Sequence, residues 1–226
     1  MNGYWWSDMT IKNLTTGDSP ESQPFSQKVL LINRRSPREL FLLDDNIPYH
    51  ATRLLLLMLL AGKPQNKPKI EGRIKLVKLD FFVRYPQFLE KAVHILSANK
   101  YLEKIEHVLE KGPTVESHMI RYKYGPWDRR YYMVLAYLSG KALIDIQSKD
   151  GVDIYSLTDN GYWLVDDLIK LPEFETIIEC CQIVGNLFGS QSGGQIKDFI
   201  YRHYPEVVRT PYNQFIPSTG TENDHA

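Results

Sequence analysis

The segment from residue 121 to residue 130 has the densest grouping of side chains that could contact a ligand. It places four cations and a tryptophan close to the start of a predicted helix: Arg121, Lys123, Arg129, Arg130 and Trp127. Guanidinium and ammonium groups suit the phosphates of nucleic acid or the carboxylates of an acidic partner. A structural role is an equal alternative, in which Trp127 fills the core, Asp128 caps the helix and Arg130 pairs with a carboxylate.

Residues with catalytic potential do not occur at the spacings that the corresponding chemistry requires. The sequence has no histidine pair at metal-ligand spacing, no nucleophile elbow and no Walker A sequence. The stretch 192–195, Ser-Gly-Gly-Gln, is similar to the tail of the ABC ATPase signature, but a loop with Ser192 at a helix cap is the simpler interpretation. We therefore expect no catalytic residue, no metal, no cofactor and no enzyme activity.

The composition bounds the cell compartment and the kind of partner. Lys and Arg total 27 and Asp and Glu total 27, so the chain lacks the basic excess of a stand-alone nucleic-acid-binding protein. Two adjacent cysteines, Cys180 and Cys181, make a poor disulfide and suit a reducing compartment. The longest apolar run, residues 54 to 61, is too short for a bilayer, which needs about 20 residues. These features predict a cytoplasmic protein without a membrane partner.

Hydrophobic periodicity predicts a mainly helical chain. Helices are expected at residues 50–62 and 71–84 and from Pro86 onward, followed by a strand near residues 117–124 with one basic face. Two more helices are expected near residues 173–187 and 195–203. The predicted organisation is a flexible N-terminal arm (1–25), a single domain (26–205) and a flexible C-terminal tail (206–226).

The segment from residue 128 to residue 171 indicates the fold. A helix closed by Gly140 is followed by two short strands around Asp150-Gly151, a hairpin-turn pair, and then by a helix that Thr158 can cap. Trp163 is expected to pack that last helix on the core. The order of helix, hairpin and helix predicts a winged-helix domain whose wing spans about residues 143–157, with additional N- and C-terminal helices.

The outward face of the helix that begins near Asp128 favours a protein partner over DNA. Its expected members are Arg129, Tyr132, Met133, Ala136 and Tyr137, and only the first is basic. Aromatic and apolar side chains are typical of the centre of protein interfaces, whereas a DNA-reading helix carries polar and basic ones. The C-terminal helices could instead cover this face. The candidates for contact with a partner or with DNA are Arg84, Arg121, Lys123, Arg129, Arg130, Tyr132, Met133 and Tyr137. The candidates for a structural motif are Trp127, Asp128, Tyr131 and Gly140.

Two sequence blocks resemble a known family. The blocks are Leu76-x-Lys78-Leu79-Asp80-Phe81-Phe82-x-Arg84-Tyr85-Pro86 and Gly125-Pro126-Trp127-Asp128-x-Arg130-Tyr131-Tyr132. Together with Leu138-x-Gly140-Lys141-x-Leu143-Ile144 and Leu157-Thr158-x-x-Gly161, they are similar to the middle component of bacterial ABC-three-component systems, whose best-known members belong to Lamassu-type defence operons. The resemblance covers about residues 50–205.

The resemblance implies a small, non-catalytic subunit. Such a subunit binds near the head of an SMC-like or Rad50-like ABC ATPase, and an effector protein such as a nuclease completes a complex that acts on the double-stranded DNA of phages or plasmids. The motif positions of the family fall on Arg84, Trp127, Asp128, Arg130 and Tyr131, and it brings no catalytic residue. An alternative is a winged-helix transcription regulator that binds a palindromic operator as a dimer. A third, an enzyme with an unrecognised site, lacks a supporting cluster.

Overall fold

The computed structural model describes residues 46–62, 68–111 and 118–217. Its helices are α1 (Ile47–Ala61), α2 (Arg73–Arg84), α3 (Pro86–Ile95), α4 (Leu102–Glu110), α5 (Tyr131–Gly140), α6 (Asp159–Leu168), α7 (Glu175–Phe188), α8 (Gly193–His203) and α9 (Pro205–Arg209). Its strands are β1 (Lys69–Glu71), β2 (Ile120–Tyr122), β3 (Gly125–Trp127), β4 (Ile144–Lys149) and β5 (Val152–Leu157). The protein is therefore mainly helical with small antiparallel sheets, as predicted. The N-terminal arm predicted at residues 1–25 lies outside the described residues.

Helix α1 lies at the centre of the domain. Its sequence is apolar around most of its circumference, which is typical of a helix that is buried on all sides. It packs against α7, α5 and α2, and the side chains from Leu54 to Met58 are fully buried. The Asn46 side chain accepts a hydrogen bond from the Tyr49 amide at 3.1 Å and caps its N-terminus. The chain thus builds its core around this one helix.

Helix α2 carries charge into that core. The predicted helix at 71–84 is confirmed, except that its expected first residue, Glu71, belongs to strand β1. Four of its buried side chains are charged: Lys75, Lys78, Asp80 and Arg84. Helix α3 begins at Pro86 as predicted, because proline has no amide hydrogen to lose at a first helical position.

The hairpin of β4 and β5 lies where the sequence predicts the wing. Asp150 (φ 52°) and Gly151 (φ 75°) form its turn, which requires positive φ at both positions. Strand β1 adds to this hairpin and gives a three-stranded antiparallel sheet in the order β1-β5-β4, with Ile70 opposite Tyr155. The third strand was not predicted, since residues 63–69 have the proline content of a linker.

The helix that follows the hairpin begins as predicted but packs differently. The Thr158 hydroxyl accepts a hydrogen bond from the Gly161 amide at 3.1 Å and caps α6. The prediction that Trp163 packs on the core is wrong, because this side chain is 75% exposed. Val165 and Leu168 form the buried stripe of α6 instead.

Helix α5 ends at Gly140, as predicted, but Gly140 is not a left-handed glycine cap. The left-handed conformation that commonly ends a helix falls on Ala142 (φ 52°). A Cβ atom at Gly140 would contact nothing within 4 Å. The position therefore has no steric need for glycine.

The compact part of the chain extends beyond the predicted boundary at residue 205. Residues 206–217 were expected to belong to a flexible tail because they are polar, yet Val207 and Ile216 are fully buried. The Ile216 amide donates to the Met119 carbonyl at 2.8 Å, and the Arg121 amide donates to the Gln214 carbonyl at 2.9 Å. Two apolar side chains and backbone pairing to the β2 segment thus fix this stretch.

None of the helices in the described parts of the chain is long and apolar enough to cross a membrane.

Candidate functional site

Asp80 is the first of two buried carboxylates that hold α5 against the rest of the domain. Arg53 of α1 approaches it with both arms of its guanidinium group, with Nε 2.7 Å from Oδ1 and Nη2 3.1 Å from Oδ2. The Tyr131 hydroxyl donates to Oδ2 at 2.5 Å. Burial, followed by the charge of Asp80, raises the pKa of Tyr131 well above its ordinary value, so this hydroxyl remains a donor.

Asp128 is the second carboxylate and lies between two arginines. Arg84 donates from Nη1 to Oδ2 at 2.9 Å, and Arg130 donates to the same oxygen from Nη2 at 2.7 Å. Burial alone would raise the pKa of Asp128, but hydrogen bonds from Arg130 and the charges of both arginines outweigh it and hold the pKa well below its usual range. Asp128 is therefore a fixed anion.

The two carboxylates belong to one network, which we call the ion network and define as Arg53, Asp80, Tyr131, Arg84, Asp128 and Arg130. The His50 ring lies between its halves, with Nδ1 3.1 Å from Nη1 of Arg53 and Nε2 3.4 Å from Nη1 of Arg130. Both carboxylates are bound by arginine side chains. Such an arrangement fixes the positions of the helices that carry them.

The ion network corrects the expectation that Arg84 and Arg130 contact a partner. Arg84 is 3% exposed and Arg130 is half-buried, and both hold Asp128. The geometry therefore supports a structural role for Asp128 and Arg130 in the segment from residue 121 to residue 130. Asp128 lies three residues before Tyr131, the first residue of α5, and supports the helix start because its carboxylate accepts the Arg130 amide at 2.9 Å.

The remaining basic candidates separate into one structural side chain and two exposed ones. Arg121 is half-buried and donates to the Thr210 carbonyl at 2.6 Å, with its guanidinium carbon 4.6 Å from the Tyr212 ring centre. It ties β2 to the C-terminal segment, which corrects its expected role as a contact residue. Lys123 and Arg129 are exposed.

The outward face of α5 is open to solvent in the described part of the chain. Tyr132 and Met133 are each 56% exposed, Ala136 is exposed and Tyr137 is half-buried. The C-terminal helices do not cover this face, because α7 packs on α1 and α8 packs on α2. An apolar surface therefore stands next to the ion network.

Sequence reasoning missed a groove beside this face, which we call the aromatic groove. It has a volume of about 240 Å³ and is lined by Arg73, Ile74, Lys78, Tyr122, Tyr124, Gly125, Pro126, Trp127 and Tyr132. The Trp127 and Tyr132 ring centres are 5.8 Å apart, and the guanidinium carbon of Arg73 lies 5.0 Å from the Tyr132 ring. The strand predicted near residues 117–124 contains two of these residues, Tyr122 and Tyr124, but the pattern did not indicate a groove. Both are about half exposed, at 48% and 49%.

Lys78 forms part of the groove and is itself buried, at 2% exposure. Its Nζ donates to the Pro126 carbonyl at 2.9 Å, and burial lowers its pKa to about 7. No acidic residue is among those that line the groove in the described chain. Among the described residues that line the groove, Lys78 Nζ therefore has no carboxylate partner.

The β4–β5 hairpin is acidic, whereas the wing of a DNA-binding winged helix would be basic. Asp145 and Asp150 are exposed and Asp153 is half-buried, whereas Lys149 is the single cation of the hairpin. The phosphate contacts that dominate affinity for DNA require the opposite charge. Within the described residues there is also no group of three or more His, Cys, Asp or Glu side chains that could hold a metal ion.

Comparisons with protein-family models, curated proteins and solved structures find no match for this chain. An assignment of function therefore rests on the residues and contacts described above.

Proposed function

We propose that this chain is a non-catalytic docking subunit of an SMC-like ABC ATPase complex in bacterial defence against phages and plasmids. In this role it docks near the ATPase head and links the ATPase to an effector such as a nuclease. The observation that carries the proposal is the difference between the inner and outer sides of α5. Tyr131 on its inner side, with Asp128 and Arg130 just before the helix, enters the ion network, and Tyr132 and Met133 expose an apolar face. This arrangement suits presentation of a surface.

We propose that the domain belongs to the winged-helix class, and its topology supports this. Helix α1, strand β1, helix α2, helix α5 and the β4–β5 hairpin occur in this order along the chain, as in winged helices, and β1 pairs with β5 in the sheet order β1-β5-β4. Between α2 and α5, where a winged helix has a short turn, this chain carries the further elements α3, α4, β2 and β3. In this interpretation α5 corresponds to the recognition helix.

The charge distribution favours a protein partner for α5 over DNA. Tyr132 and Met133 occupy the outward positions at which a DNA-reading helix carries polar or basic side chains. The acidic wing would repel phosphate. The alternative, a winged-helix transcription regulator, is supported by the exposed cations Lys123 and Arg129 alone. Any contact that the described residues make with double-stranded DNA in the complex would then involve few side chains.

The proposal is tested by affinity purification of the tagged chain from cells that carry its native operon, with the bound proteins identified by mass spectrometry. The proposal predicts a large ABC ATPase in stoichiometric amount. Recovery of the chain alone, as a dimer that binds one DNA sequence, would overturn it in favour of the regulator.

A further inference from the structure

We infer that the aromatic groove is a docking site for a short acidic peptide segment of a partner protein. The segment would place one bulky apolar side chain among the rings of Tyr122, Trp127 and Tyr132 and a carboxylate against Lys78. The inference rests on the proposed function, because it names the chemistry of the segment that a docking subunit would bind.

The volume of the groove is suited to a single side chain of the bound segment. Pockets that enclose a drug-sized ligand measure about 300–1,000 Å³, and the groove has about 240 Å³. Its lining is mostly aromatic and apolar, and the rim residues Tyr122, Tyr124 and Tyr132 are each about half exposed. Amphipathic rings of this kind give large contact areas at small entropic cost, which is why they are enriched at interfaces.

The charge of the groove selects an anion. Arg73 and Lys78 are cationic, and the described residues that line the groove include no carboxylate. An ammonium group has three donors, and the described residues give Lys78 one acceptor, the Pro126 carbonyl. A carboxylate at this point would satisfy a donor and neutralise a buried charge, so the Lys78 site is complementary to an aspartate or glutamate side chain.

Single-stranded nucleic acid offers similar chemistry, with bases that stack and phosphates that bind cations. Such sites follow the backbone with rows of exposed cations. Here one of the two cations is 2% exposed, and the formal charge of the whole chain is zero. Single carboxylates reach a recessed ammonium group more easily than a continuous phosphate backbone does. The observations therefore favour a peptide.

The test is an NMR titration of the full ¹⁵N-labelled chain with the dipeptide N-acetyl-Phe-Asp-amide as probe. N-acetyl-Phe-Asn-amide, which has the same shape without the charge, is the matched probe. We expect the aspartate probe to bind at millimolar or tighter concentration and to shift the amides of the groove. The asparagine probe should bind at least tenfold more weakly.

Two variants locate the binding. Lys78→Met should remove the preference for aspartate over asparagine, while Lys141→Met, which changes an exposed lysine just beyond α5, should keep it. Because Lys78 is buried, Tyr132→Ser provides an independent check at a position that is 56% exposed. It should weaken binding of both probes at least tenfold without unfolding the chain.

Three results would overturn the inference: equal binding of the two probes, no binding at millimolar concentration, or unchanged binding in both Lys78→Met and Tyr132→Ser. Displacement of the aspartate probe by a short oligothymidylate that binds more tightly would assign the groove to nucleic acid and would also overturn it. The titration needs no ATPase. An ATPase recovered with a groove that ignores the probe contradicts only the inference, and a groove that binds the probe without a recoverable ATPase contradicts only the proposed function.

Discussion

Tyr131 and Tyr132 are adjacent in sequence and lie on opposite sides of α5. Tyr131 is 3% exposed and donates its hydroxyl to Asp80, whereas Tyr132 is 56% exposed and forms the edge of the aromatic groove. The inner side of the helix is fixed by charge and hydrogen bonds, and the outer side is apolar and is not covered by any of the described residues. The contacts on the inner side therefore hold in place the surface that the outer side exposes.

The largest effect on stability is expected from a substitution in the ion network. Asp128→Ala would leave Arg84 buried without its anion, and we expect a loss of about 3–5 kcal/mol in the free energy of unfolding, measured by urea denaturation at pH 7. The control is Asp166→Ala, which removes an exposed, solvent-screened pair with Lys170 and should change stability far less. Equal effects of the two substitutions would contradict the structural role of Asp128.

The contribution of Asp128 should also depend on pH. Its folded-state pKa is held below the ordinary value of 3.8, so its contribution is complete above that value and is lost as the pH falls further. The difference between wild type and Asp128→Ala should therefore be constant from pH 5 to pH 7 and shrink in strong acid.

Removal of the Lys78 side chain is expected to have the opposite effect on stability to removal of the Asp128 side chain. Its folded-state pKa of about 7 lies below the ordinary value of 10.5, so the unfolded chain binds more protons between these values. Stability at this site is lowest below pH 7 and rises as the pH increases from 7 towards 10.5. Lys78→Met should therefore stabilise the fold at pH 6, on the order of 2–4 kcal/mol, and the gain should shrink at pH 9. A gain that is independent of pH would contradict this account of Lys78.

Tyr131→Phe sharpens the comparison within α5, because it deletes one hydroxyl and keeps the ring. The buried Asp80 would lose a donor, and we expect a cost of about 1–3 kcal/mol in thermal or chemical unfolding. Tyr132→Phe is the matched control on the exposed side and should change stability by less than about 0.5 kcal/mol. If both changes cost the same, the two sides of the helix do not differ as described.

The smallest effect is expected at Gly140. A methyl group there meets no neighbour within 4 Å, and alanine is favoured over glycine in helices by up to about 1 kcal/mol. Gly140→Ala should therefore leave the melting temperature unchanged or raise it slightly. A clear loss of stability would show that the helix end requires glycine at this position.

The sequence predicted the parts of the fold that depend on neighbouring residues. The Asp150-Gly151 turn and the Thr158 cap act within a few positions, and so their signals are local. Strand β1 was missed because it has three residues and pairs with β5, about 85 positions away. Trp163 was assigned to the core because large apolar side chains are usually buried, and its exposure depends on tertiary packing.

The same limit applies to the candidate site. Sequence patterns indicated which cations cluster between residues 121 and 130, but not which of them are buried. Arg84 reaches Asp128 across 44 positions, and Arg121 reaches Thr210 across 89. The aromatic groove combines side chains from α2, the β2–β3 hairpin and α5, so no single stretch of sequence predicts it.

The central claim is that the outer side of α5 docks a partner, and the most direct test is a substitution there followed by co-purification. Met133→Lys adds charge to an exposed apolar position and should leave the fold intact while it reduces recovery of the ATPase at least tenfold. The matched control, Leu96→Lys, changes an apolar side chain that is 39% exposed after α3 and should recover the ATPase as the wild type does. Undiminished recovery with Met133→Lys would contradict the account.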